Sequence, residues 1–170
     1  MIKIVGIDPG LAATGIGIVR GNGSAVDEFA FTNIRTSSAR PVAERLNGLY
    51  GRLQSILADE APDLMVVEDV FSLPRNPKSG IMLGKVSGVI LLAGYRADVR
   101  VTEVAVREAK QVLTGNGNAS KEQLEAAVRH LLHLTRPIRP FHASDALALA
   151  LIGLWRWGDV TDNPGESLKR

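Results

Sequence analysis

Three apolar segments of this chain begin or end on an acid. Asp8 closes Met1-Ile2-Lys3-Ile4-Val5-Gly6-Ile7, Glu68 closes Leu64-Met65-Val66-Val67, and Asp145 opens Ala146-Leu147-Ala148-Leu149-Ala150-Leu151-Ile152. The first two runs read as strands covered on both faces, apart from Lys3. The third is apolar nearly all round and reads as a buried helix. Elements of this kind have to be stacked in layers, which rules out an open sheet with one wet face. The acids are then out of place, because an ionised carboxylate is almost never buried without a partner. One such acid is explained by a solvated strand end. Three, each at the tip of an apolar element, point to a shared site neutralised by something cationic, most simply a pair of metal ions.

The segments between them supply the rest of the fold. Asp8-Pro9-Gly10 is a turn, since Pro fixes φ and Gly accepts positive φ. A second strand runs through Thr14 to Val19, Gly21-Asn22-Gly23 signals a hairpin, and a third strand spans Val26 to Ile34. Val42, Leu46, Leu49, Leu53, Ile56 and Leu57 recur at helical spacing and predict a helix over 41–61. Phe71 to Lys78, with its prolines, is expected to be a loop. A helix over 79–97, a strand over 99–104 and a short helix over 106–113 follow. Gly115-Asn116-Gly117-Asn118 breaks that helix, and Ser120-Lys121-Glu122-Gln123 has the spacing of a capping box. The last helix is expected over 142–157, stopped by Gly158. An antiparallel meander followed by alternating helices and strands predicts an α/β protein: a five-stranded mixed sheet with helices on both faces.

With 170 residues, 45% hydrophobic and 22% charged, the chain is expected to be one domain over 1–158 with a polar, mobile tail over 159–170. Its net charge of +2 identifies no partner by itself. If several acids are consumed in a metal site, the remaining surface is more basic than that total implies. The absence of cysteine excludes disulfides and thiolate metal centres. No run is long enough to span a membrane and no signal-peptide pattern is present, so the cytoplasm is the expected location.

His142 and Asp145 lie three residues apart and share a helical face. Neighbouring first and fourth strands would set Asp8 beside Glu68, and the last helix would complete the group. Hard oxygen ligands suit Mg²⁺, bound through a few carboxylates plus substrate phosphate. Two such ions serve an in-line phosphoryl displacement. Each residue also has a bland reading: Asp8 as turn former, Glu68 as strand end, His142 as helix-start residue. Asp145, inside an apolar helix, is the hardest of the four to explain that way.

Ile4-Val5-Gly6-Ile7-Asp8-Pro9-Gly10, Val66-Val67-Glu68-Asp69-Val70-Phe71 and His142-Ala143-Ser144-Asp145-Ala146-Leu147-Ala148 resemble the three acidic motifs of the RuvC family of bacterial Holliday junction resolvases. The resemblance extends to Leu83-Gly84, Gly88 and the stretch from Val104 to Lys121, and covers nearly the whole chain except the tail. It implies an RNase H-like fold and a homodimer nicking two opposed strands of four-way junction DNA, leaving 5′-phosphate and 3′-hydroxyl ends. It implies Mg²⁺ or Mn²⁺, two ions per site, held by Asp8, Glu68, His142 and Asp145 as catalytic residues, and a branch-migration motor as partner. His142 departs from the Asp that many members carry; an imidazole is a softer ligand that favours Mn²⁺, or serves as a proton carrier.

For DNA, the resemblance assigns Lys110 and Lys121 to phosphate contacts and Phe71 to stacking on an unpaired base. Arg75 and Lys78 flank the same loop and reach toward the backbone. The bland readings are solvated charges and, for Phe71, a core anchor. The Gly84, Gly88 and Leu92 region of the second helix is expected at the dimer contact. Three alternatives stay open on sequence: an actin-like nucleotide-binding hairpin at Asp8-Pro9-Gly10, for which the chain is too short; a junction binder without catalysis; and a nuclease of the same fold acting on RNA.

Overall fold

In the computed structural model, which describes residues 1–69 and 77–157, five strands form one mixed sheet in the order β3-β2-β1-β4-β5. β1 (Ile2–Asp8), β2 (Ala13–Asn22) and β3 (Ala25–Arg35) are the antiparallel meander; β4 (Leu64–Glu68) and β5 (Arg100–Val104) add in parallel. The helices are α1 (Val42–Glu60), α2 (Pro77–Arg96), α3 (Val106–Thr114), α4 (Lys121–Leu131) and α5 (Phe141–Trp157). α1 and α2 cover one face of the sheet and α5, backed by α3 and α4, the other.

The alternation of side chains along a strand divides the core in two. Val5, Ile7, Met65 and Val67 point to the α1–α2 side, where Leu49, Leu53, Val86 and Ile90 meet them. Ile2, Ile4, Leu64 and Val66 point to the α5 side. The same parity puts Asp8 and Glu68 on the α5 side. α1 begins after Pro41, which gives it no side-chain cap, so its stability comes from the buried Leu49, Leu53 and Leu57 stripe. α4 carries the capping box in full: Ser120 accepts from the Gln123 N–H, and the Gln123 side chain accepts from the Ser120 N–H.

Two expectations shift. The hairpin turn falls on Gly23 and Ser24, because Asn22 still pairs with Ala25 and the positive φ of 55° belongs to Gly23. The second helix starts two residues early, at Pro77, where a proline suits a first helical position. Phe71, Arg75 and the 159–170 segment lie outside the described residues.

Candidate active site

The β1–β4 register pairs Gly6 with Val66 and Ile7 with Val67, so the next residues, Asp8 and Glu68, stand level at the C-terminal ends of the two strands. α5 crosses their face of the sheet at its own N-terminal end. His142 Nδ1 lies 2.5 Å from Asp8 Oδ2, joining residues 134 apart in the sequence. Asp145, one helical turn on, is 7% exposed, and Asp8 is 6% exposed.

Missing side chains allow α5 this close. A Cβ on Gly6 would collide with the Ala146 carbonyl, one on Gly15 with the His142 carbonyl, and one on Gly17 with the Leu147 backbone. Gly6 and Gly17 are cross-strand partners, and Gly15 is the partner of Asp8. The three form a saddle across β1 and β2 into which the first turns of α5 settle. Sequence reasoning passed over this function; the signal was there, since Gly15 and Gly17 are two apart and so share one face of β2.

The electrostatics are those of acids crowded together, with burial and mutual repulsion outweighing the nearby positive groups. Burial, then the hydrogen bond and charge of Asp8, push the Glu68 carboxyl up to about 9. Burial, then Asp8, push Asp145 up to about 6 against the pull of Lys121, His142 and Lys110. His142 is raised from its ordinary value, chiefly by its bond to Asp8. Glu68 in its neutral form donates to Asp8 in turn, which satisfies two neighbours of one carboxylate. Asp145 has less help. Its Oδ1 is buried with no hydrogen-bond partner among the described residues, and Lys121 Nζ lies 4.0 Å from Oδ2.

A buried, unpartnered carboxylate oxygen beside two further acids fits a hard divalent cation, with Asp8, Glu68 and Asp145 as oxygen donors and His142 at the margin. The side chains are gathered but closed on one another. Among the described residues no three acid or His groups already stand at ligand spacing.

Of the residues expected to hold DNA, Lys121 is exposed on the first turn of α4 beside Asp145, and Lys110 on α3 is near enough to act on the Asp145 carboxyl. Lys78 is exposed in the first turn of α2. Phe71 and Arg75 belong to the stretch that is not described.

The sheet order, the acids at the ends of the two central parallel strands and the acidic helix across them define an RNase H-like nuclease. Residues 4–153 match the family model described as crossover junction endodeoxyribonuclease RuvC. A protein of that name from Prosthecochloris aestuarii is 38% identical over 151 residues, covering 89% of this chain and 80% of the relative. One from Salinispora arenicola is 39% identical over 158 residues, 92% of this chain and 90% of the relative. The solved Thermus thermophilus RuvC in complex with Holliday junction substrate superposes with a TM-score of 0.84 at 31% identity, over 91% of this chain and 94% of the other. The chain belongs to the RuvC family of crossover junction endodeoxyribonucleases.

Proposed function

We propose that this protein resolves four-way DNA junctions by paired, symmetric, metal-dependent nicks, with Asp8, Glu68, Asp145 and His142 as its catalytic and metal-holding residues. The observation that carries the site is the convergence of four titratable groups from β1, β4 and α5 on one end of the sheet, with an unpartnered buried oxygen on Asp145. Two bound Mg²⁺ or Mn²⁺ ions would supply nucleophile activation and charge neutralisation for in-line displacement at a phosphodiester. The chain's own residues do the rest. Asp8, Glu68 and Asp145 orient and neutralise the cations, Lys121 and Lys110 hold the phosphate backbone, and His142 carries a proton beside Asp8 near neutral pH. Lys78, Arg75 and Phe71, which follow β4 in the sequence, extend this contact.

Paired nicks call for two identical sites related by a twofold axis. What supports a homodimer is α2, where Ile81, Leu92 and Tyr95 are exposed and Gly84 and Gly88 have open space above them. Their spacing puts all five on one stripe of the helix. A branch-migration motor as partner and a cytoplasmic location follow from the family reading; no described helix is long and apolar enough to cross a membrane.

The test is cleavage of an end-labelled four-way junction beside linear duplex and an RNA–DNA hybrid, with Mg²⁺, Mn²⁺ or chelator. Symmetric nicks restricted to the junction and to metal-containing reactions bear the proposal out. Preferential cutting of the hybrid, or tight junction binding without cutting in either metal, refutes it.

A further inference from the structure

A cavity of about 250 Å³ lies between the end of β3 and the first half of α1, lined by Arg35, Arg40, Arg45 and Arg52 with Thr36 and Glu44 among the residues between them. Its cationic excess is real, because one acid faces four guanidinium groups. Glu44 pairs with Arg40 at 3.2 Å on the exposed rim. Arg45 Nε donates to Thr36 Oγ1 at 2.8 Å, which orients that guanidinium. Arg35 and Arg52 are exposed and have no acidic partner among the described residues. Like charges held around a concavity repel one another and raise the local potential for an anion. Guanidinium forks match the oxygens of a phosphate in number and plane, which ammonium groups do not. The amides at the start of α1 lack a side-chain cap, so the helix end adds to the same field.

The cavity is tied to the acid cluster. Asp8 pairs with Gly15 and Gly15 with Asn33, two residues before Arg35, so both features share one end of the sheet. They are two strands apart along the sheet, roughly 10 Å at the usual strand spacing, and on opposite faces, the acids under α5 and the cavity beside α1, so a strand joining them rounds the sheet end at the β1–β2 turn. The Thr36 N–H donates to the Ala12 carbonyl at 3.1 Å and its hydroxyl donates to the Leu11 carbonyl, fastening the cavity wall to the turn that leaves Asp8. We propose that this arginine-lined cavity binds phosphodiester groups of a DNA strand that runs from the acid cluster across the β1–β2 turn to the start of α1. The proposal rests on the nuclease reading above and adds a contact on the opposite side of the scissile position from Lys110 and Lys121.

The test uses the full chain carrying Arg35→Ala and Arg52→Ala together, leaving Arg45 and its Thr36 bond intact, with a thermal melt to establish folding. Affinity for a four-way junction and for linear duplex is measured from 50 to 200 mM salt. Two lost phosphate contacts lower the slope of log affinity against log salt by about 1.8, so the wild type loses about 12-fold more affinity over that range than the variant. The melt is repeated with millimolar inorganic phosphate. An unchanged slope in a folded variant overturns the proposal, and phosphate that stabilises only the wild type while the DNA slope stays unchanged assigns the cavity to a small phosphorylated ligand instead. A wild type with no preference for the junction overturns the resolvase reading separately, and the duplex slope then judges the cavity.

Discussion

Replacing Asp145 with Asn should make the metal-free protein more stable while abolishing cleavage. Asp145 titrates near 6 in the fold against an ordinary value of 3.8, with burial as the leading cause. At about 1.36 kcal/mol per pH unit, the ionised form costs the fold up to about 3 kcal/mol. An Asn keeps the shape and loses the charge, but it also gives up the weak pairing with the exposed Lys121. We therefore expect a net gain of about 1–3 kcal/mol, or roughly 3–10 °C in melting temperature for a domain of this size. The sign follows from the raised value. Below pH 3.8 both states hold the proton and Asp145 costs nothing; between 3.8 and about 6 only the unfolded chain ionises, and stability falls; above 6 the loss is constant. The gap between variant and wild type should thus be about a third of its full size at pH 4.5 and complete by pH 7.5. Differential scanning fluorimetry in chelator at the two pH values measures it. Adding Mn²⁺ should then stabilise the wild type and leave the variant where it was. A variant that melts at or below the wild type at pH 7.5 in chelator would sink the reasoning, since the cluster would then not be a strained set of anions.

Three further outcomes can be checked. Lys121→Ala should weaken junction binding and lower the salt slope by about 1, as expected for a single phosphate contact; an unchanged slope removes Lys121 from the DNA interface. Gly15→Ala should cost about 2–3 kcal/mol in denaturant unfolding, since its Cβ meets the His142 carbonyl, whereas Gly51→Ala on the open side of α1 should gain about 0.5–1 kcal/mol; equal effects would dissolve the saddle. Leu92→Asp, placed on the exposed stripe of α2, should shift the protein toward a monomer in light-scattering chromatography without lowering its melting temperature, and a dimer that survives it lies elsewhere.

Much of this could be read in the chain because its signals were local. The continuous apolar runs of β1 and β4 specify buried strands, the Ser120–Gln123 box specifies the start of α4, and the all-round apolar character of α5 specifies its burial. The acids were legible for a related reason, since a charge beside such a run has few structural explanations. What could not be read was non-local. That Asp8 and Glu68 stand level depends on the parallel register of β1 and β4, which no short-range pattern encodes. The bond from His142 to Asp8 depends on how near α5 comes, and that is set by glycines on a different element. The four arginines around the cavity are spread from Arg35 to Arg52, and only the bend from β3 into α1 brings them together.

The bond between Asp8 and His142 spans 134 residues, and this has a consequence for the newborn chain. Protein synthesis at about 5–20 residues per second leaves an interval of roughly 7–27 s in which the first acid exists and its partners on α5 do not. During that interval the strand ends carry only Asp8 and Glu68 of the proposed group. A ribosome-bound or truncated product lacking the last helix lacks His142 and Asp145, half of the four residues proposed for cleavage.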